Sequence, residues 1–372
     1  MSIVRASLTP FRLPMQWPLE TARGVTRVRE GLLVELRGRG ELRGYGEAMP
    51  LPGFGLESLA ESRAALAAAL PALLGLDAKD LETNLALAER ATGRAPSARA
   101  ALDSAFHDLA ARSRNISVCE LLAPCSREPV AVSALLAAKT PREVASAARQ
   151  AADAGYRTLK LKIAATSVDR DVARVERMRD ALGDDCALRL DANGGWEEAT
   201  AREALRRLAP SLPEFVEQPV AARAIESLAR LRSDSPVPVA ADEALCHAGG
   251  APAVLAHHAA DLLILKPAAL GGLRAAQRLA DEARRAGVHV VVTGFLDSAI
   301  GDAAALQLAA ALRSSEHAAG LGGQQLFADD LATIAEPQEG LRALPEAPGL
   351  GVEPDPLRLE RLASGPAQIF AA

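Results

Sequence analysis

The sequence predicts an α/β protein in which a (β/α)8-type barrel follows an N-terminal α+β capping domain. Two observations predict this class. The chain has 372 residues, which exceeds one small domain and suits a barrel of roughly 200–250 residues with a smaller companion. From about residue 130 onward, eight short apolar runs alternate with amphipathic helical stretches, as in parallel strands joined by helices. An eight-stranded doubly wound sheet is the topological alternative.

The capping domain is predicted over residues 1–125. Strand-like segments come first, alanine-rich helical segments follow, and the RGRGE turn joins the second and third strands as a hairpin. The predicted strands occupy residues 3–13, 29–38 and 42–50, and the predicted helices occupy residues 56–74 and 97–114.

The barrel is predicted over residues 126–334, and the Pro-rich residues 335–372 are expected to run back towards the capping domain. The eight predicted strands are VAVSALLA, TLKLKIA, CALRLDAN, EFVEQP, VPVAADEAL, DLLILKP, VHVVVTG and HAAGLGG. Between them, stretches such as TPREVASAARQAADAGY have apolar residues at helical spacing.

Composition excludes several classes of function. The net charge of −5 provides no basic surface for nucleic acid. The longest apolar stretches are interrupted by Lys, Pro or Gly before they reach the roughly 20 residues of a membrane helix. The first residues lack a continuous apolar run, so we expect no signal peptide and a cytoplasmic location. No two of the four cysteines form a CxxC pair, and we expect thiols rather than disulfides at Cys119, Cys125, Cys186 and Cys246.

Six charged residues stand at the ends of five successive predicted strands. They are Lys160, Lys162, Asp191, Glu217, Asp242 and Lys266. Each strand end is separated from the next by about one βα unit, so the charges are in phase with the barrel. Because the carboxyl ends of barrel strands face one shared mouth, we expect these side chains to converge there.

The residue types predict a metal site flanked by a base. Asp191, Glu217 and Asp242 form an oxygen-rich anionic site of the kind that Mg²⁺ prefers, and Mn²⁺ would also fit. Lys160 and Lys162 are two positions apart and therefore point to the same side of their strand. Lys162 on strand 2 and Lys266 on strand 6 would lie on opposite sides of the mouth. A lysine near a second ammonium group and a divalent cation loses its proton more easily, so it can remove the proton next to a substrate carboxylate.

At this point the motifs resemble those of the enolase superfamily. The matching segments are KLK at 160–162, RLDAN at 189–193, VEQP at 216–219, ADE at 241–243 and LKPAALGG at 265–272. Lys266 resembles the muconate-cycloisomerase branch, because the mandelate-racemase branch would have a His–Asp pair on later strands. The resemblance covers nearly the whole chain and implies an enolase-type modified barrel.

The resemblance also implies roles for individual residues. Within the branch, the o-succinylbenzoate synthase family of menaquinone biosynthesis is the most similar. Lys162 would take the α-proton and return it to the departing hydroxyl, Lys266 would stabilise the enediolate, and Lys160 would neutralise the substrate carboxylate. The three carboxylates would bind Mg²⁺, and Asn193 and Glu243 would contact these ligands without binding the cation themselves. Weaker candidates for substrate contact are Trp17, Phe54, Thr293, Gly294, Gly320 and Leu321, where Trp17 and Phe54 belong to two predicted lids, residues 13–24 and 51–58.

Two departures from the branch keep other substrates open. Gly320 to Gly323 replace the Asp-x-Asp with which dipeptide epimerases hold the substrate amino group, and Thr293-Gly294 replaces a more serine-rich end of strand 7. An N-acylamino acid racemase, a dipeptide epimerase or a muconate cycloisomerase would use the same two lysines. A non-catalytic scaffold barrel predicts the loss of at least one of the six charged positions, and all six are present. The predicted partner is a small carboxylate, and a homo-oligomer remains open.

Overall fold

The computed structural model describes residues 2–21, 24–40, 42–124, 127–136, 138–312 and 317–371, apart from the side chains of 19–21, 24 and 324. It confirms the mixed α/β class. The predicted domain boundary at residue 125, together with Cys125, lies outside these residues. No helix among them is long and apolar enough to cross a membrane.

The described N-terminal elements are three strands followed by four α-helices. They are β1 (Ile3–Thr21), β2 (Gly24–Gly38), β3 (Arg43–Ala48), α1 (Leu59–Ala69), α2 (Leu81–Thr92), α3 (Pro96–Ser113) and α4 (Val118–Leu122). Helix α3 is buried along most of its length against β3. Gly46 permits this close packing, because a Cβ at that position would lie 2.0 Å from the carbonyl oxygen of Ala101.

The barrel elements alternate strand and helix. They are β4 (Val130–Ala131), β5 (Ala134–Leu136), α5 (Pro141–Asp153), β6 (Thr158–Lys162), α6 (Val168–Leu182), β7 (Ala187–Asp191), α7 (Glu198–Leu208), β8 (Phe215–Glu217), α8 (Ile225–Asp234), β9 (Val239–Ala241), α9 (Glu243–Cys246), α10 (Gly250–Ala256), β10 (Leu262–Leu265), α11 (Pro267–Leu270), α12 (Leu273–Arg285), β11 (His289–Val292) and α13 (Ala299–Leu312). The last elements are β12 (Leu341–Arg342), α14 (Pro356–Leu362) and β13 (Gln368–Ala371).

The main sheet has seven parallel strands in the order β11-β10-β9-β8-β7-β6-β5. The eighth predicted strand, HAAGLGG, is only a pair of bridges: Ala319 pairs with Val132 and Gly320 with Thr293. Gly320 donates to the carbonyl of Val292 at 2.9 Å, and Ala319 donates to the carbonyl of Ala131 at 2.8 Å. This segment therefore joins the two edges of the sheet, although it is too short to be a regular strand.

The N-terminal sheet has the order β13-β1-β2-β3, so the end of the chain pairs with its beginning. Strands β1 and β2 are longer than predicted. The segment 13–24, expected as a separate lid, continues the β1–β2 ribbon beyond a register shift between Pro14 and Leu19. Met15 on this ribbon bridges to Phe327, so the ribbon rests on the segment that follows the barrel closure.

One expectation about the cysteines is wrong. Cys119 is disulfide-bonded, whereas Cys186 and Cys246 are free. The expectation relied on CxxC spacing and on the low cysteine content, and neither criterion determines which sulfur atoms the fold brings together.

Candidate active site

The six charged side chains come from five consecutive strands of the main sheet. They are Lys160 and Lys162 in β6, Asp191 at the end of β7, Glu217 at the end of β8, Asp242 directly after β9 and Lys266 directly after β10. In the sheet register Lys162 is level with Asp191, and Asp191 is level with Glu217. The parallel strands all end at the same rim, so the structure brings the predicted groups together.

Ammonium groups lie among the carboxylates. The Nζ atom of Lys160 is 2.9 Å from Oδ2 of Asp191 and 2.7 Å from both carboxylate oxygens of Glu217. Lys266 forms an ion pair with Asp242. All three carboxylates belong to residues that are only 1% exposed. Buried charges of this kind are tolerated because each has an opposite charge beside it.

Lys162 has weaker ties to acidic groups. Its Nζ atom is 3.2 Å from Oδ2 of Asp191 but only 2.6 Å from the neutral amide oxygen of Asn193. Its side chain is 37% exposed, against 18% for Lys160 and 10% for Lys266. Of the three lysines it is therefore the one most open to a ligand from solvent.

The carboxylates differ in the direction of their pKa shifts. Burial and the neighbouring Asp191 raise the pKa of Glu217 to about 7, despite the opposing effect of Lys160. Burial also raises the pKa of Asp242, although Lys266 acts against it. At Asp191 burial acts in the same direction, but Lys160 and Lys162 outweigh it and hold the pKa below its ordinary value.

Two of the lysines are held in the charged form. Burial lowers the pKa of Lys160, but the carboxylates of Asp191 and Glu217 outweigh burial and raise it above its ordinary value. The pKa of Lys266 is raised in the same way by Asp242 and Glu217. Proton loss through crowding of ammonium groups, expected from the sequence, is overridden at these two positions by the acidic side chains.

Supporting residues tie adjacent strands together. Asn193 donates from Nδ2 to Glu243 at 3.0 Å while its amide oxygen accepts from Lys162, so both predicted supporting residues lie beside the charged groups. Gln218 is a further residue of the site, and no role was predicted for it from the sequence. This fully buried side chain accepts from the backbone amides of Asp242 at 3.0 Å and Ala244 at 3.1 Å. Its position in the VEQP motif, directly after the candidate ligand Glu217, is the sequence feature that could have predicted its place in the site.

Four of the weaker candidates form one side of the rim. Thr293 and Gly294 follow β11, and Gly294 donates to the carbonyl of Gly320 at 3.0 Å. The Thr293 side chain is buried, and its hydroxyl has no hydrogen-bond partner among the described residues. Leu321 is buried as well.

The two aromatic candidates occupy different environments. Trp17 is 49% exposed on the β1–β2 ribbon. Phe54 lies in a short 3-10 helix, Pro52–Phe54, and meets the ring of Phe295 edge-on at 5.1 Å. The ammonium of Lys266 is 5.8 Å from the centre of the Phe54 ring. The structure therefore places Phe54 beside the charged cluster, whereas Trp17 is largely exposed on the ribbon.

The donor set suits a hard divalent cation. Three buried carboxylates supply the oxygen ligands that Mg²⁺ prefers. Burial is the main cause of the raised pKa values of Glu217 and Asp242 because it penalises their negative charge, and a bound cation would offset that penalty. In the described residues no three acidic, histidine or cysteine side chains are already gathered as a metal-binding group. Lys160 and Lys266 lie among the carboxylates instead.

Comparisons with known proteins agree with this geometry. Residues 4–123 match the mandelate racemase / muconate lactonizing enzyme N-terminal domain, and residues 143–358 match the enolase C-terminal domain-like family. The chain is 32% identical to a chloromuconate cycloisomerase of Pseudomonas putida, over 96% of this chain and 98% of the relative. It is 40% identical to the o-succinylbenzoate synthase of Mycobacterium tuberculosis, over 65% of this chain and 71% of the relative.

Solved structures show the same similarity over the full length. The N-succinyl Arg/Lys racemase of Bacillus cereus superposes with a TM-score of 0.92 at 28% identity, covering 100% of both chains. A dipeptide epimerase of Cytophaga hutchinsonii, solved with Mg and the dipeptide D-Ala-L-Val, superposes with a TM-score of 0.90 at 25% identity, again over 100% of both chains. The fold, the arrangement of charged strand ends and both family matches lead to one conclusion: the chain belongs to the enolase superfamily of enzymes.

Proposed function

We propose that this enzyme is an o-succinylbenzoate synthase, a lyase that dehydrates 2-succinyl-6-hydroxy-2,4-cyclohexadiene-1-carboxylate to 2-succinylbenzoate in menaquinone biosynthesis. The observation that carries the chemistry is the placement of Lys162 and Lys266 on the second and sixth strands, on either side of three buried carboxylates. The substrate assignment is supported by the 40% identity to the mycobacterial synthase over 65% of this chain, whereas the identity to the cycloisomerase is 32% over 96% of this chain.

Lys162 is the base of the proposed reaction. Its neutral amine removes the proton from the ring carbon that bears the carboxylate, and the electron pair moves into the carboxylate as an enediolate. The ammonium then returns this proton to the departing hydroxyl, the C–O bond breaks, and water and the aromatic ring are formed. Lys162 suits this role because it is the most exposed of the three lysines and its shortest contact is with the neutral Asn193.

Lys160 and Lys266 act as permanent cations. Their acidic neighbours raise the pKa values of both lysines, so both remain charged at neutral pH. Lys160 faces the substrate carboxylate, and Lys266 stabilises the negative charge that develops in the transition state. The Phe54 ring beside Lys266 closes the apolar side of the pocket, and the Thr293 hydroxyl, which has no hydrogen-bond partner in the described part of the chain, is available to the succinyl tail.

Asp191, Glu217 and Asp242 would hold Mg²⁺, with Mn²⁺ as a substitute. When bound, the cation supplies positive charge for the carboxylate of the substrate. Gln218 contributes by fixing the backbone at Asp242, and Asn193 contributes by linking Lys162 to Glu243.

A muconate-type cycloisomerase is the second candidate. It is favoured by the identity to the P. putida enzyme, which extends over nearly the full length of both chains. It would use the same lysines in an isomerisation without loss of water.

The proposal is tested by incubating the purified protein with Mg²⁺ and the succinyl-hydroxycyclohexadiene carboxylate and following the loss of diene absorbance. We expect conversion that disappears with chelator and in Lys162→Ala, and that persists in Lys79→Ala, an exposed lysine of the capping domain. Absence of conversion, together with turnover of a muconate or of an N-succinyl amino acid, would reassign the substrate to the cycloisomerase or racemase class.

A further inference from the structure

Arg29 is a buried arginine at the junction between the N-terminal sheet and the barrel. It lies on β2 and is only 4% exposed. Burial lowers the pKa of its guanidinium to about 10, while Asp297 and Glu47 act in the opposite direction. The group therefore remains charged at neutral pH, in a place where an arginine is rarely buried without a specific role.

The guanidinium donates to carbonyl groups of both parts of the molecule. Nη1 donates to Pro50 at 3.1 Å, and Nη2 donates to Met49. These two residues lead directly into the loop 51–58 of the capping domain. Nε donates to the carbonyl of Leu296 in the barrel at 3.3 Å. The planar fork of arginine thus connects the base of the loop to the segment after β11, which the single ammonium of a lysine cannot do.

Leu296 is held in a conformation that a leucine rarely adopts. Its φ is 57°, in the left-handed region, where bulky side chains carry a steric penalty. Its neighbour Phe295 is the residue against which Phe54 packs. The hydrogen bond from Arg29 therefore stabilises the backbone that presents the Phe295 ring.

Loop 51–58 reaches the charged cluster through Phe54. The ring packs edge-on against Phe295 and lies beside the Lys266 ammonium. At the loop tip Gly55 is pressed against the barrel, since a Cβ there would lie 2.3 Å from the ring of His247. The loop is thus seated at its base by Arg29 and at its tip by contact with the barrel.

We propose that Arg29 is a positioning residue that seats loop 51–58 and thereby sets the Phe54 ring against Lys266. This inference rests on the proposed role of Lys266 in the reaction. Arg29 does not touch the mouth residues through any hydrogen bond that the structure describes. Its influence passes through Met49–Pro50 on one side and through Leu296–Phe295 on the other.

The test compares Arg29→Lys with Arg12→Lys, an exposed arginine on the neighbouring strand. Three quantities are measured in the Mg²⁺-loaded enzyme: amide hydrogen exchange in residues 51–56, kcat and KM. For Arg29→Lys we expect faster exchange in the loop and a decrease in kcat on the order of 10–100-fold, since small misplacements of a reacting group have effects of this size. Arg12→Lys should change none of the three.

A merely structural role is distinguished by a double variant. In a Phe54→Ala background, Arg29→Lys should cause little further loss of kcat, because both changes remove the same contact with Lys266.

Unchanged amide exchange of the loop in Arg29→Lys, or faster exchange with unchanged kcat, would overturn the proposal. If Arg29→Lys does not fold, Phe54→Ala alone decides: an unchanged kcat would overturn the link to Lys266. If wild-type protein turns over no carboxylate, the proposed function fails, while loop exchange still reports whether Arg29 seats the loop.

Discussion

The barrel closure depends on a buried ion cluster, and replacing Glu214 by Gln should destabilise it measurably. Glu214 directly precedes β8 and accepts a hydrogen bond from Nε of Arg189 at 2.6 Å, and it also pairs with His317. Arg189 is only 2% exposed and donates a further bond to the carbonyl of Ala318 at 2.6 Å. The cluster therefore anchors the irregular segment that joins the two edges of the sheet.

The expected loss follows from the pKa of Glu214. Burial raises this pKa, but His317 and Arg189 outweigh burial and lower it from 4.5 to about 2. A difference of this size corresponds to about 3 kcal/mol of folding free energy. The side chain is 18% exposed, so solvent screens the interaction only partly. Gln keeps the size and one acceptor, but it leaves the buried Arg189 charge without its partner, so the free energy of unfolding should fall by about 3 kcal/mol at pH 7.

The pH dependence has a definite sign. The folded-state pKa of Glu214 lies below the unfolded value, so its contribution is complete above about pH 4.5 and is lost as the pH falls towards about 2. Urea unfolding followed by circular dichroism at pH 7, 5 and 4 measures the difference between wild type and variant. The difference should be smaller at pH 4 than at pH 5, because the Glu214 contribution is lost as the pH falls below the unfolded-state pKa. Glu176→Gln, an exposed residue of α6, should stay within about 0.5 kcal/mol of wild type. A loss below about 1 kcal/mol at pH 7 would refute the reasoning.

Three further predictions concern the candidate site. Gln218→Met should weaken Mg²⁺ binding by about 10–100-fold in calorimetric titrations, because Asp242 loses the group that fixes its backbone; an unchanged Kd would contradict this role. Lys162→Ala should lower kcat by at least about 10²-fold with a small change in KM, because it removes the base; loss confined to KM would assign Lys162 to binding only. Chelator should shift the melting temperature of the wild type only slightly, because the apolar barrel core is independent of the mouth; a large decrease would show that the cation is part of the folded structure.

The positions of the charged groups could be predicted because they depend on local rules. Side chains two apart on a strand share one side, and strands of a parallel barrel end at one rim. Those rules placed Lys160 and Lys162 together and arranged Asp191, Glu217 and Asp242 along consecutive strands, and the structure places all five at one rim of the sheet. They did not specify which ammonium pairs with which carboxylate, because pairing depends on the register and side-chain reach of the folded sheet.

Features that join distant parts of the chain were not predictable in this way. Arg29 and Leu296 are 267 residues apart, and Arg189 and Ala318 are 129 apart. No periodicity in the sequence links such pairs. An arginine within a strand pattern is predicted to be exposed, so the burial of Arg29 and Arg189 could not be predicted. The eighth strand was overpredicted for a related reason. Its apolar pattern matched a strand, but Gly320, Gly322 and Gly323 weaken regular pairing. The segment is held by two backbone bridges and by the hydrogen bond from Arg189 to the carbonyl of Ala318.

The same arrangement explains why the superfamily site is compatible with both a lyase and an isomerase. Proton removal requires only a base, a cationic partner on the opposite side and compensation of the developing negative charge. In the proposed function Lys162, Lys266 and the carboxylate cluster would provide these for any substrate whose acidic carbon bears a carboxylate. The difference in substrate between such enzymes must then come from the walls of the mouth.

In this chain the walls of the mouth are the Phe54 ring beside Lys266 and the rim formed by Thr293 and Gly320. This rim offers a hydroxyl and backbone groups, but residues 320–323 include no acidic side chain. Walls of this kind suit an apolar ring with a flexible tail better than a charged amino group. Substitution of Phe54 or Thr293 should therefore reduce the discrimination between a cyclohexadiene carboxylate and a dipeptide more than it reduces the rate of proton transfer.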